Sequence, residues 1–317
     1  MKIFDLHADI GYDIYNKYYE GIRNRLNDVH EFKLKRGDVQ AVNIACYFDG
    51  KASYEEMLDE IRIVRKEIID ANSFKLIEAI NDMVEVDHKQ IIAFLSIEGM
   101  GSIHYNESVK ITKLYELGVR IGSLCWNETN DLASGNKNNL VGLTSKGFNV
   151  IKKMNELGMI IDVSHANEKT FYDILKTSKR SIIATHSNAY TLCNSPRNLK
   201  DDQLKQIASS NGLIGVVACK SFVSNIPNQQ DVKHYVNHIR YIANLIGIDH
   251  VCLGFDYMDN CYEDHLMINS LSDASKSQLV INELVNQGFT NLEIKKVCYD
   301  NAYKFFLREL SPHITLL

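Results

Sequence analysis

Five side chains of the kinds that bind metal ions stand near the ends of apolar segments in this 317-residue chain. They are three imidazoles and two carboxylates: His7, Asp9, Glu98, His165 and His186. His7 and Asp9 are two positions apart in FDLHADI, a spacing that places both on one face of a strand. Imidazoles with carboxylates suit zinc or a similar divalent ion. Because one catalytic zinc usually takes three protein ligands, five ligands favour two ions that share a carboxylate.

Each of these residues also has a plainer interpretation when it is taken alone. A single histidine at a strand end is more often a hydrogen-bonded structural residue, and Glu98 before Gly99 could cap a turn. Asp256, which follows another apolar run, could begin a helix. Their joint placement at the ends of five separate segments favours a metal site instead.

The elements that must position these groups alternate between two patterns. Short runs rich in valine and isoleucine predict strands at 2–9, 41–48, 91–99, 119–126, 159–165, 181–187, 213–219 and 250–257. Amphipathic spacing predicts helices at 53–71, 144–158, 167–178, 201–212, 232–247, 272–288 and 291–310. Near-continuous apolar strands separated by helices indicate a parallel sheet that is covered on both faces.

Eight such strands predict an α/β fold, the (β/α)8 TIM barrel, formed as a single domain by residues 1–317. An open doubly wound sheet is the alternative, but no Gly-x-Gly-x-x-Gly or Walker loop follows a strand. In a barrel the carboxyl ends of all strands share one rim, where barrel enzymes keep their active sites. We therefore expect the five ligands and Asp256 to meet at that rim.

Composition excludes several classes of partner. The net charge is −5 with no basic stripe, which argues against nucleic acid. No apolar stretch approaches the roughly 20 residues of a membrane span, and neither end is typical of a signal peptide or lipid anchor. Seven scattered cysteines without a Cys-x-x-Cys pair favour reduced thiols in the cytoplasm. The oligomeric state is left open, with a homodimer as one option.

The remaining polar residues of interest receive more modest predictions. Asp5 and Asp162 lie inside apolar runs, and each either orients a ligand imidazole or makes a structural hydrogen bond. Cys125 lacks a neighbouring base and is predicted to pack in the core. Solvated or packed roles are predicted for the other histidines: His30, His88, His104, His234, His238, His250, His265 and His313.

Motifs over nearly the whole chain resemble one known family, the renal (membrane) dipeptidases or M19 peptidases, a branch of the amidohydrolase-like metal-dependent hydrolases. The matching segments are FDLHADI, LSIEGM, LGVRIGSLCWN, IIDVSH, ATHSNA, SPRNLKDDQL, LGFDYMD and the helical tail from residue 272 to 306. The resemblance implies two zinc ions. It implies His7 and Asp9 as ligands of one zinc, His165 and His186 as ligands of the second, and Glu98 as the bridge.

The same resemblance implies the groups that act on substrate. Arg197 matches the arginine that binds the substrate carboxylate, and Asp256 matches the acid at the rim, a general base and then acid for a hydroxide activated by the two ions. The chain departs from the family at Trp126, which takes the place of a histidine that contacts the substrate carbonyl. Trp126 then either contacts substrate or packs at the rim. Asn127 beside it either helps stabilise the oxyanion or makes a loop hydrogen bond.

The sequence therefore predicts a zinc-dependent dipeptidase that hydrolyses L-L dipeptides and extends to L-D dipeptides. One alternative keeps the barrel and metals but changes the bond, as in a lactonase, deaminase or phosphoesterase. Such enzymes often begin with His-x-His and bridge through a carboxylated lysine, whereas Lys220 is the only lysine at a predicted strand end. A non-catalytic metal-binding barrel is a further alternative, although no predicted ligand is missing.

Overall fold

The computed structural model describes residues 1–258, 260–261 and 266–311, so the predictions for His265 and His313 lie outside the described residues. The strands within these ranges are β1 Ile3–Ala8, β2 Val39–Tyr47, β3 Phe74–Leu76, β4 Ile91–Glu98, β5 Val119–Ser123, β6 Ile160–Asp162, β7 Ile182–Ile183, β8 Ile214–Val216 and β9 Val251–Leu253. The α-helices are α1 Ile10–Tyr19, α2 Glu31–Arg36, α3 Tyr54–Asp70, α4 Ile80–Val84, α5 Glu107–Glu116, α6 Ser145–Leu157, α7 Glu168–Thr177, α8 Asp201–Ser209, α9 Lys220–Val223, α10 Val232–Ile246, α11 Gln278–Asn286, α12 Asn291–Lys295 and α13 Asn301–Leu310.

The strands form a parallel sheet that closes on itself. Their order is β7-β6-β5-β4-β2-β1-β9-β8, and a parallel bridge between Ala184 and Ile214 joins the two ends. The Gly215 N–H donates to the Ala184 carbonyl at 2.8 Å, and the Ala184 N–H donates to the Leu213 carbonyl at 2.9 Å. The predicted (β/α)8 barrel is therefore confirmed.

One strand was not predicted. β3 pairs with Ile91–Ala93 along the edge of β4 that β5 occupies from Leu95 onward, so it lies outside the barrel's closed path. Three residues are too few for an apolar alternation to stand out in the sequence.

Several strands end earlier than the sequence predicts. Within the apolar run 159–165 the regular strand ends at Asp162, and within the run 181–187 it ends at Ile183, followed by the single bridge of Ala184. The Asp162 carboxylate accepts hydrogen bonds from the N–H groups of Ser164 at 3.0 Å and Thr185 at 3.1 Å. A side chain thus satisfies backbone donors that ladder carbonyls would otherwise take. His165 and His186 lie in these departing segments and not in the strands themselves.

Apolar packing explains why the helices lie against the barrel. In α3, Ser53 and Glu56 form a capping box, and the apolar residues Met57, Ile61 and Val64, which recur at helical spacing, are buried. Among the described residues, no helix combines the length and apolar character that crossing a membrane requires.

The C-terminal helix closes the amino-terminal end of the barrel. Phe306 of α13 stacks on Phe4 of β1 at 5.2 Å and on Phe94 of β4 at 4.2 Å between ring centroids. These rings belong to a buried cluster that includes residues of β1, β2, β4, β5, β6, β7 and β9, and Leu213, which directly precedes β8. The cluster fills the interior, so the opposite end, where the strands terminate, is the one that stays open for a site.

Glu60 of α3 is a buried carboxyl group beside Cys46 and Tyr47 of β2, and only 2% of it is exposed. Burial is the largest effect on this group and raises the pKa of Glu60 from 4.5 to about 8. The folded protein therefore binds this proton more tightly than the unfolded chain does. Its stabilising contribution is fully present below pH 4.5 and is lost as the pH rises through about 8.

We expect Glu60→Gln to stabilise the fold by on the order of 2 kcal/mol at pH 9 and to change little at pH 5, because a neutral amide avoids the buried charge. Urea unfolding at both pH values measures the difference. Glu55→Gln removes the same charge from the exposed side of α3 and is expected to leave the pH dependence unchanged. Equal destabilisation by Glu60→Gln at the two pH values would contradict the assignment.

Candidate metal centre and active site

The predicted ligands converge at the carboxyl-terminal rim of the barrel. Glu98 is the last residue of β4, His7 is in β1, and Asp9 is the N-cap of α1. His165 and His186 follow β6 and β7, each three residues beyond the strand end. All five are buried, with at most 6% of any of them exposed.

Glu98 lies between two groups of ligands. Its Oε1 contacts the His165 Nε2 and lies 3.5 Å from the His186 Nε2. Its Oε2 lies 3.6 Å from the His7 Nε2. The two oxygens of one carboxylate therefore face different imidazoles, which is the arrangement that suits a carboxylate shared by two ions.

The second group surrounds the His7 imidazole. Its Nε2 lies 3.4 Å from the Asp9 Oδ1 and 3.7 Å from the Asp256 Oδ1. Possible ligand atoms of His7, Asp9 and Asp256 all lie within 4.8 Å of one another, as do those of Glu98, His165 and His186. Asp256 was predicted as the catalytic acid, and the structure places it close enough to this group to serve either as that acid or as a ligand.

Hydrogen bonds orient the three imidazoles toward the cluster. The His165 Nδ1 lies 2.9 Å from the Asn127 Oδ1, an amide oxygen that also accepts from the Asn136 Nδ2 at 2.7 Å. Because that oxygen can only accept, His165 donates through Nδ1 and keeps a lone pair on Nε2. The Nδ1 atoms of His7 and His186 instead face the Thr185 hydroxyl. Each Nε2 is thereby left to face the cluster.

Two of the imidazoles are neutral at pH 7. Burial, followed by the charge of Arg197, lowers the pKa of His165 to about 4. Burial and then the neighbouring His7 lower the pKa of His186 well below its ordinary value. Neutral imidazole is the form in which a histidine nitrogen binds a metal ion.

The carboxyl groups concentrate negative charge at the same point. Burial first, and then the charges of Asp9 and Glu98, raise the pKa of Asp256 well above its ordinary value. Burial acts to lower the pKa of His7, but Asp9, Glu98 and Asp256 outweigh it and raise that pKa well above the ordinary value. The raised pKa values of His7 and Asp256 indicate that the side of the cluster around His7 favours added positive charge.

A divalent cation fits this donor set. The His7 Nε2 and the Asp9 Oδ1 are buried and make no hydrogen bond with any part of the chain that the structure describes. Buried polar atoms without partners are costly unless a ligand satisfies them. Nitrogen and carboxylate oxygen donors in this proportion suit zinc and similar ions.

A cavity of about 360 Å³ opens directly above the cluster. This volume is at the small end of ligand pockets and suits a small substrate. Its lining combines cluster residues with aromatic, apolar and polar side chains: Asp9, Tyr47, Glu98, Trp126, Asn127, His165, Arg197, Cys219, Ser221, Phe222, Asp256, Met258 and Leu266.

The three predicted substrate-binding residues all line this cavity, but in different ways. Arg197 is 6% exposed and donates to the carbonyls of Ser164 and His186. Trp126 forms a half-buried wall, edge-on to Tyr47 with 5.2 Å between ring centroids. Asn127 faces His165, so its position matches an orienting role better than an oxyanion contact.

Other sequence predictions have clear positions. The Asp5 carboxylate accepts from the N–H groups of His7 and Phe255, which is the structural alternative for that residue. Asp162 accepts a hydrogen bond from the Thr185 hydroxyl, which in turn contacts the Nδ1 atoms of His7 and His186. Burial raises the pKa of the Cys125 thiol to about 12, in agreement with its predicted packing role. His238 is buried and hydrogen-bonded to backbone.

Sequence reasoning missed Thr185 and Tyr47. Thr185 precedes the predicted ligand His186 in ATHS, and this adjacency was its only signal. Tyr47 ends β2 within an apolar run, where an aromatic side chain is ordinary in a strand.

Comparisons with known proteins support one family. The family model "Membrane dipeptidase (Peptidase family M19)" matches residues 1–310. An uncharacterized protein in the pqqA 5' region of Klebsiella pneumoniae is 34% identical over 234 residues, which are 68% of this chain and 86% of that protein. Dipeptidase tcpJ of Claviceps purpurea is 28% identical over 250 residues, which are 74% of this chain and 57% of that protein. The chain thus spans little more than half the length of this named dipeptidase.

A solved structure agrees with the fold. The metallo peptidase from Rhodobacter sphaeroides, crystallised with a phosphinate mimic of the dipeptide L-Ala-D-Ala, superposes with a TM-score of 0.83. The superposition covers 98% of this chain and 99% of that one at 19% identity, so it supports the barrel fold. Given the match over residues 1–310, the chain belongs to the membrane dipeptidase family, peptidase family M19, a family of metallo-dipeptidases.

Proposed function

We propose that this protein hydrolyses the peptide bond of dipeptides with the help of two divalent ions that share Glu98 as a ligand. Zinc is the first candidate for both ions. The observation that supports this most is the position of Glu98, whose two carboxylate oxygens face separate ligand groups. In this proposal His7 and Asp9 hold one ion, and His165 and His186 hold the other. When bound, the ions supply Lewis acidity, which polarises a carbonyl group and lowers the pKa of water at the site toward about 7.

Asp256 is the proposed proton carrier. Its Oδ1 lies 3.7 Å from the His7 Nε2, at the edge of the cavity and next to the ligand group. As a carboxylate it can accept a proton from the attacking water and, once protonated, return that proton to the leaving amine. Burial and the neighbouring carboxylates raise the pKa of Asp256, which makes it a stronger base than a solvated aspartate. The two transfers leave Asp256 unchanged at the end of each turnover.

Arg197 is the proposed partner of the substrate's C-terminal carboxylate. The guanidinium is buried, and its two Nη atoms donate to backbone carbonyls. Its Nε makes no hydrogen bond with any of the described residues. A carboxylate approaching side-on could therefore pair with Nε and the adjacent Nη. Because Arg197 borders the metal ligand His165, the cavity leaves room for about one residue beyond the scissile bond.

We expect Arg197→Lys to raise KM for a dipeptide by about 30-fold with a smaller change in kcat, because an ammonium group cannot form the two-pronged contact. The check is steady-state kinetics on a dipeptide and on the same dipeptide with a C-terminal amide. The amide lacks the carboxylate, so its kcat/KM is expected to be nearly the same for both proteins. An equal loss on both substrates would show that Arg197 acts through the fold and not on the carboxylate.

Trp126 and Asn127 have different proposed roles. Trp126 lines the cavity as an apolar wall, and the Lys137 ammonium lies 5.5 Å from its ring centroid. The ring therefore shapes the substrate's side-chain site rather than stabilising charge on the carbonyl oxygen. For Asn127 we propose orientation of His165, since its amide oxygen already accepts two hydrogen bonds.

The decisive experiment is a hydrolysis screen of L-L and L-D dipeptides with metal-loaded and chelated protein. L-D dipeptides are included because the Rhodobacter sphaeroides enzyme was solved with a mimic of L-Ala-D-Ala. Amide, lactone and phosphoester substrates serve as controls for the wider class of metal hydrolases. Metal-dependent cleavage of dipeptides alone supports the proposal, whereas turnover of a lactone or phosphoester with intact dipeptides would overturn it.

The proposal treats residues 1–317 as one catalytic domain acting in the cytoplasm, with a homodimer still to be tested. Bridging by a lysine finds no support, because the cavity lining within the described residues does not include Lys220, which begins α9. The buried thiols of the cysteines Cys46, Cys125, Cys193, Cys219, Cys252 and Cys298 agree with a reducing compartment.

A further inference from the structure

Thr185 lies between the two groups of proposed metal ligands. Its Oγ1 is 3.2 Å from the Nδ1 of His7 and 2.8 Å from the Nδ1 of His186. One of these histidines belongs to each proposed ion. A single hydroxyl therefore contacts one imidazole of each proposed metal site. It does so at Nδ1, the ring nitrogen that points away from the cluster.

The direction of these hydrogen bonds follows from the hydroxyl's two other neighbours, the Asp162 carboxylate and the Ser164 hydroxyl, which lies 3.2 Å away. The Thr185 Oγ1 lies 2.6 Å from the Oδ2 of Asp162, the shortest of its contacts with this group of residues. The other carboxylate oxygen, Oδ1, accepts from the Ser164 hydroxyl at 2.6 Å and from two backbone N–H groups. A carboxylate surrounded by donors acts as an acceptor, so Thr185 donates its one proton to Asp162.

With that proton committed, the threonine oxygen can only accept from the two histidines. In their neutral forms, the ones that bind metal ions, both His7 and His186 must then carry their hydrogen on Nδ1 and present a lone pair at Nε2. The Nε2 atoms are the ones that face Glu98, at 3.6 Å for His7 and 3.5 Å for His186. The hydrogen-bonded pair of Asp162 and Thr185 thus selects, in one histidine of each site, the imidazole tautomer that can bind an ion.

The backbone around Thr185 keeps this hydroxyl in place. A Cβ at Gly254 would lie 1.8 Å from the Thr185 carbonyl oxygen, and a Cβ at Gly215 would lie 2.0 Å from it. Only glycine at these two positions lets β8 and the end of β9 lie this close to the backbone of Thr185. The Thr185 N–H is bound by Asp162, so backbone and side chain are both fixed.

We propose that Thr185 is a positioning residue that couples the two metal sites by setting the tautomer of one histidine in each. This inference rests on the proposed two-ion function but concerns metal binding and not the choice of substrate. As a consequence, one substitution outside the set of proposed ligands lowers the affinity for both ions together. Asn127, by contrast, reaches only His165 and therefore one ion.

The test compares Thr185→Val, which removes the hydroxyl at nearly constant volume, with Thr185→Ser, which keeps it. Zinc affinity is measured for each equivalent by competition with a chelator. We expect Thr185→Val to bind both equivalents about 10- to 100-fold more weakly, the usual effect of losing such an outer hydrogen bond. Thr185→Ser is expected to stay within about threefold of the wild type. Ser187→Ala is the matched control, because that buried hydroxyl has no hydrogen-bond partner among the described residues.

A second readout does not depend on the variants. In zinc-loaded wild-type protein with ¹⁵N-labelled histidine, NMR should show Nδ1–H signals for His7 and His186 that exchange slowly with water. Absence of either signal overturns the proposal, even if Thr185→Val fails to fold. Unchanged affinities in Thr185→Val, or a loss confined to one equivalent, also overturn it.

The two proposals can fail separately. Wild-type protein that binds two zinc equivalents, both weakened by Thr185→Val, but cleaves no dipeptide would overturn the proposed substrate and support the role of Thr185. Dipeptide cleavage by the wild type, with metal affinities that Thr185→Val leaves unchanged, would support the proposed substrate and overturn the role of Thr185.

Discussion

Replacing Glu98 by alanine is expected to remove both ions and to lower kcat/KM for dipeptides by about 10⁴-fold, the scale of losing the metal-assisted step. Glu98 presents its carboxylate oxygens to both groups of proposed ligands, with Oε1 toward His165 and His186 and Oε2 toward His7. Its loss leaves each ion with too few protein ligands. Elemental analysis after dialysis, together with dipeptide kinetics, measures both effects.

The matched comparison is His7→Ala, which removes a ligand from one group only. We expect that variant to keep about one equivalent of zinc, held by Glu98, His165 and His186. Circular dichroism and thermal unfolding establish that both variants are folded. If Glu98→Ala keeps two equivalents, or if it loses no more metal than His7→Ala, Glu98 is not the bridge.

Asp256→Asn is expected to keep the metals and lower kcat by about 10²- to 10⁴-fold, the usual contribution of a general acid–base group. The substitution keeps the shape of the side chain but removes its ability to accept a proton. Asp256 has a left-handed backbone, with φ of 65°, and asparagine tolerates that region as well as aspartate does. The change therefore tests chemistry without adding backbone strain. Metal content and steady-state kinetics are the measurements.

Asp49→Asn is the control for the loss of one negative charge near the rim. Asp49 borders a neighbouring cavity and forms an ion pair with Lys51, away from the cluster. Its kinetics are expected to stay within about twofold of the wild type. Full activity in Asp256→Asn would contradict the acid–base role. Loss of one metal equivalent would instead assign Asp256 to the ligands around His7, a role that its distance of 3.7 Å also permits.

The barrel was predictable because its signal is repeated. Apolar strands and amphipathic helices alternate along the chain, and a period that recurs eight times tolerates errors at any one element. β3 escaped notice because it is three residues long and pairs outside the closed path. The early ends of β6 and β7 escaped notice because the residues that follow them, Val163 and Ala184, are as apolar as a strand requires, although the regular strands end at Asp162 and Ile183.

The proposed metal ligands were predictable for a related reason. A buried histidine or acid inside an apolar run is costly unless something binds it, so its presence at a strand end is conspicuous. Five such residues were found this way, and the structure brings all five together with Asp256. Thr185 was not conspicuous, because a threonine in a strand-like run has no cost that calls for explanation.

The sequence by itself determined the class of fold, the residue types of the proposed ligands and the rim of the barrel at which they would meet. Hydrophobic periodicity and polar residues inside apolar runs are local properties of the chain, so both can be recognised without a structure. Only the tertiary structure decided that Glu98 presents its two oxygens to different imidazoles and that Asn127, at the cavity wall, directs its amide oxygen to His165. It also decided that one threonine hydroxyl serves histidines 178 positions and one position away. These facts depend on distances of about 3 Å between segments far apart in the chain, and hydrogen-bond geometry at that scale is set only when the barrel closes.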